Sequence, residues 1–182
     1  MKKIVLTYGL IAGAILSSLM AISMSFKDQI GFDNGMIVGY ATMVAALLMV
    51  YFGVRTYRDT VLGGTIRFWQ AVRAGLLISL IATTCYVATW QVMYYRFMPN
   101  YLQEYSAHAL ENARKSGKSE AELAAQKAEM DKFAVMYQNP LVNIGFTFLE
   151  PLPVVLLMTL LAAGLLSRKK SDGVSPEGIA VS

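Results

Sequence analysis

Four long apolar stretches separated by charged segments leave this chain few ways to fold. Residues 4–24, 35–54 and 74–93 contain no charged side chain, and residues 141–166 contain one, Glu150. At about 1.5 Å per helical residue, each stretch can cross a hydrocarbon core roughly 30 Å thick. The expected fold is therefore all-α: a polytopic membrane protein with four transmembrane helices at about those positions, and an extramembrane helical hairpin between the third and fourth. With 55% hydrophobic and 15% charged residues in a chain of 182, the four-helix domain takes up residues 1–170 and leaves no room for a second globular domain. The polar tail at 171–182 has the composition of a disordered cytoplasmic segment.

The first stretch starts behind Lys2 and Lys3, as a signal peptide would. It exceeds the usual signal core of about 7–15 residues, so it is expected to stay as a helix. The lone cysteine, Cys85, falls inside the third stretch and can form no intrachain disulfide.

Charge sets an expected orientation. The net charge of +4 comes from basic residues gathered at the ends of the apolar stretches, a pattern that suits topology and anionic lipid rather than nucleic acid. Lys2, Lys3, Arg55, Arg58, Arg67, Arg73, Arg168, Lys169 and Lys170 sit densely at one set of boundaries. On the other side, most basic residues lie in the long 95–140 segment, where six acids balance six bases. By the positive-inside rule both termini are expected in the cytoplasm, in a bacterial inner membrane. Tyr51, Tyr57 and Trp69 mark one interface; Trp90, Tyr94, Tyr95 and Phe97 mark the other.

Small residues recur at every fourth position in three stretches. Gly9, Gly13, Ser17 and Ala21 stripe the first, Gly35 and Gly39 open the second, and Ala71, Gly75, Ser79 and Thr83 stripe the third. Such stripes let helix backbones approach closely where lipid offers no hydrophobic drive. Packing within the bundle is the simpler reading, and a dimer face the alternative.

The segment joining the second and third stretches holds Arg55, Arg58, Arg67 and Arg73 around Gly63-Gly64. The diglycine breaks the helix, and an amphipathic interfacial turn is expected from Thr65 onward. The arginines match no nucleotide-binding loop, so contact with anionic lipid head groups is their expected role. Arg58-Asp59, Gly63-Gly64 and Gln70-Ala71 at the mouth of a span form one block, and Phe148-Leu149-Glu150-Pro151-Leu152-Pro153 forms a second. In these two blocks, and over about residues 1–170, the chain resembles an uncharacterised bacterial four-span membrane family, domain of unknown function 4199. Val155 stands near where the second block leads one to expect a glycine. The resemblance implies a four-helix inner-membrane architecture in a Gram-negative bacterium, and no activity.

In the 95–140 segment Pro99 suits a helix start, with Leu102, Tyr105, Ala109 and Ala113 near one face of a first helix. Ser119-Glu120-Ala121-Glu122 is a capping box, opening a second helix to about Gln138 whose stripe is Leu123, Met130, Phe133, Ala134 and Tyr137. Glu104, His108 and Glu111 share a face, but with one histidine in the chain an ordinary polar face is the better reading, and no metal or cofactor is expected.

Glu150 is the one acidic or basic side chain inside a span, and intramembrane charge is costly enough to suggest function. The simpler reading is a structural link between helices, hydrogen-bonded or salt-bridged to Arg96, and the alternative is a proton relay or a site for a cationic substrate. Tyr40, Gln91 and Ser17 are expected at a similar depth, giving a polar layer inside the bundle. Pro151 and Pro153 follow, each removing a backbone donor and loosening the helix beside the carboxylate. With no nucleophile–base pair or metal triad, an enzyme is not expected. The first functional reading is a structural or accessory membrane protein that binds a protein partner through 95–140. The alternative is a small transporter or proton-coupled channel subunit centred on Glu150.

Overall fold

The computed structural model describes residues 1–167; the expected disordered tail and the basic cluster at 168–170 lie outside the described residues. The fold is all-helical, and among the described residues four segments are long and apolar enough to span a membrane: Lys2–Ser25, Lys27–Val61, Phe68–Phe97 and Pro140–Leu166. The chain is an integral membrane protein.

α1 (Lys2–Ser25) and α2 (Lys27–Val61) are separated only by Phe26, where a loop of about ten residues is expected from the apolar pattern. Beyond Gly31 the continuous part of α2, residues 32–61, is about 45 Å long, more than a hydrocarbon core of about 30 Å requires. Near its start Gly31 adopts φ 72°, a left-handed conformation that glycine takes without a Cβ clash, and the helix kinks there.

Gly63 and Gly64, both at positive φ, end α2 and turn the chain. α3 (Phe68–Val92) starts at Phe68 rather than Thr65, because the Gln70 side chain accepts a hydrogen bond from the Arg67 amide (3.2 Å) and caps the helix there. Its last turn widens into a π-helical segment, Met93–Phe97, closed by the Met98 amide on the Met93 carbonyl (3.0 Å).

The hairpin consists of α4 (Tyr101–Lys115) and α5 (Glu120–Tyr137). Ser119 and Glu122 form the capping box at the start of α5, each side chain bonded to the other's backbone amide. The fourth span is interrupted. α6 (Pro140–Leu149) and α7 (Leu152–Leu166) meet at Glu150-Pro151, where Pro151 and Pro153 each remove a helical donor on either side of Leu152.

α1 lies against α3 through the expected small stripe. A Cβ on Gly9 would stand 2.7 Å from Ile81 Cβ, and one on Gly13 2.7 Å from Cys85 Cβ. Gly75 meets α7 likewise, 2.9 Å from Thr159 Cγ2. These glycines serve packing inside the bundle, whereas Gly35 and Gly39 face open space. Every buried residue of α2 lies at Met43 or beyond. α2 packs on α1, α3 and α7, with no comparable packing on α6. The half of the bundle nearer the termini is therefore closed, and the half nearer the hairpin is open between α2 and α6.

Candidate functional site: a cavity floored by Glu150

The unpaired half of α2 leaves a cavity of about 510 Å³, within the roughly 300–1,000 Å³ usual for small-molecule sites. Its roof comes from α4, its sides from α1 and α2, and its floor from Tyr86 and Glu150. The break at Pro151 puts Glu150 at the end of α6, where it lines the cavity as an exposed residue. Glu150 Oε2 accepts a hydrogen bond from Tyr86 Oη (2.9 Å). Among the described residues no ion pair includes Glu150, and Arg96 is exposed.

The roof is latched to α2. Past the kink at Gly31, Phe32 packs against Tyr101, Tyr105 and His108, with ring centroids 5.4–5.9 Å apart. Asp33 Oδ1 takes a hydrogen bond from Asn112 Nδ2 (3.0 Å) and lies 3.0 Å from His108 Nε2. Lys27 pairs with Glu104. Burial pushes the Tyr101 hydroxyl up to about 12, with the nearby Glu150 charge adding to it, so it is a neutral donor at physiological pH.

The four residues expected to share a polar layer are divided among separate contacts. Tyr40 lines the cavity with Glu150. Ser17 Oγ instead accepts from Thr89 Oγ1 (2.9 Å) between α1 and α3. Gln91 Nε2 donates to Asn143 Oδ1 (2.7 Å) between α3 and α6. Beside that pair, Trp90 Nε1 donates to Tyr137 Oη (3.0 Å), which lies 3.2 Å from Thr147 Oγ1 and ties the hairpin into the bundle.

Glu104, His108 and Glu111 are drawn to different partners: Lys27, Asp33 and Lys115. At the opposite end Arg55 and Arg58 both engage Asp59, at 3.6 and 2.6 Å, whereas Arg67 and Arg73 are exposed. Sequence reasoning missed Tyr86, Asp33 and the aromatic roof. The available signal was Gly31 directly before Phe32-Asp33, a kink that turns both toward the hairpin.

No curated protein and no solved structure matches the chain. One family does, over residues 7–168, and it spans every element that builds the cavity. The chain belongs to the family described as Protein of unknown function (DUF4199).

Proposed function

We propose that this protein is a small transporter or proton-coupled subunit, with Glu150 as its binding or relay group and Tyr86 as the hydroxyl that orients it. The observation that carries the reading is an intramembrane carboxylate at the floor of a cavity of about 510 Å³, open where α2 and α6 do not pack. A carboxylate kept only for helix–helix bonding would be enclosed by its partners, because a polar group facing hydrocarbon costs free energy. The test is proton flux into liposomes followed by a trapped pH dye. The wild-type chain should carry flux and Glu150→Gln should abolish it, the amide keeping an oxygen for Tyr86 so that the fold survives. Equal flux in both, or none in the wild type above empty liposomes, would overturn the reading.

A second reading is an accessory protein that binds a partner through 95–140. It is favoured by the hairpin's free surface: α5 buries Leu123 and Tyr137 while Val135 is 71% exposed. Crosslinking in the native membrane should then capture one stoichiometric protein that is lost on deleting 102–138. For either reading the natural setting is a bacterial inner membrane with both termini in the cytoplasm, supported by the density of basic residues at the α2–α3 turn. Arg67 and Arg73, exposed there, are suited to lipid head groups.

A further inference from the structure

We propose that the cavity binds a lipophilic organic cation, its charge held by the Glu150 carboxylate and the surrounding aromatic rings, and its apolar body by the methionine-rich wall. This rests on the reading of Glu150 as a binding group and names the ligand chemistry it selects.

Charge gives the sign. Among the described residues, three side chains with a fixed formal charge line the cavity: Lys27, Asp33 and Glu150. Lys27 is paired with Glu104, and Asp33 is engaged by His108 and Asn112. Glu150 is left with a neutral phenol as its hydrogen-bond partner, so the floor of the cavity favours positive charge and repels an anion.

The wall gives the class. Phe32, Tyr40, Tyr86, Tyr101 and Tyr105 supply aromatic faces or edges to the same space. A cation over such faces is attracted by the ring quadrupole, and more strongly where water is scarce. Met20, Met24, Met36 and Met43, with Ile30 and Val38, supply much of the remaining apolar surface, and unbranched, polarisable methionine adapts to irregular shapes. A bare metal ion is a poor fit, since among the described residues no group of three His, Cys, Asp or Glu side chains converges.

Access follows from packing. No residue of α2 before Met43 is buried, and Gly35 and Gly39 have open space beside them. A ligand dissolved in the bilayer can therefore reach Glu150 sideways, between α2 and α6, without crossing the latched roof.

The experiment uses the full chain in nanodiscs of zwitterionic lipid, with radiolabelled tetraphenylphosphonium as probe and tetraphenylborate, of nearly the same shape and opposite charge, as competitor. Saturable tetraphenylphosphonium binding is expected, at least about tenfold weaker in Glu150→Gln, and not displaced by tetraphenylborate. Tyr40→Leu, on the cavity's exposed wall, should weaken binding several-fold with an unchanged thermal melt. Non-saturable partitioning, displacement by the borate, or full affinity in Glu150→Gln would overturn the proposal. Proton flux that depends on Glu150 without tetraphenylphosphonium binding would remove the cation site and leave the transport reading. Glu150-dependent binding without flux would keep the site and remove the transport.

Discussion

Thr159, on α7, is 1% exposed and its hydroxyl has no hydrogen-bond partner among the described residues; the same holds for Ser79 on α3. A threonine hydroxyl in a span usually returns to the carbonyl one turn back, as Thr84 and Thr60 do at 2.8 and 2.7 Å. At Thr159 the side chain instead fills the notch left by Gly75, so its shape matters more than its oxygen. An unsatisfied buried hydroxyl costs about 1–3 kcal/mol on mutational scales, and valine keeps the shape without it. Thr159→Val should therefore raise the midpoint of thermal unfolding in detergent, by an amount corresponding to about 1 kcal/mol. A lowered midpoint would mean that the hydroxyl has an unseen partner. Asn143 presents the opposite case, for its oxygen is held by Gln91 while its amide nitrogen has no partner among the described residues. Replacing it with leucine would strand Gln91.

Between helices, close approach does what side-chain bulk does elsewhere. Gly13 brings α1 within contact of Cys85 and Ala82 on α3, with no room for even one more carbon. Gly13→Leu should destabilise the bundle by about 1–3 kcal/mol, as overpacking does, while the same change at Gly39, which faces open space, should cost far less. Denaturation of both variants in mixed micelles decides it. The hairpin has its own determinant. Hydrogen bonds from the Ser119 hydroxyl and amide hold the Glu122 carboxyl below its usual range. A carboxylate whose folded value is depressed stabilises the fold above its unfolded value, about 4.3, and loses that contribution as pH falls through the folded one. Amide exchange in the first turn of α5 should thus gain extra opening below about pH 4, beyond the intrinsic rate. Ser119→Ala should open that turn at neutral pH and flatten the dependence.

At the scale of the molecule, the four spans and the hairpin could be read from sequence because each is written locally. The spans are charge-free runs, and α5 opens on Ser119 and Glu122. The cavity could not. Residues 35–54 are apolar along their whole length, so nothing in them distinguishes Met36, which faces open space, from Leu47, which is fully buried. The partner of Glu150 was hidden for a related reason. Which α3 side chain meets it depends on how α6 bends at Pro151, a tertiary matter, so Tyr86 was overlooked in favour of Gln91. Orientation rests on charge density alone and has a direct measurement. In a Cys85→Ser background, a membrane-impermeant maleimide on intact cells should label Ser119→Cys and spare Thr65→Cys. The reverse pattern would invert the molecule.

The π-helical turn at Met93–Phe97 gives this architecture a phase. One residue more or fewer in a helix turns everything beyond it by about 100°. The turn lies between the membrane-embedded part of α3 and α4, so it sets the azimuth at which the hairpin leaves the bundle. With the observed phase, Tyr101, His108 and Asn112 swing over Phe32 and Asp33. Deleting a single residue there would leave α3 and the other three spans intact, yet rotate the roof off the cavity like a cap turned past its thread.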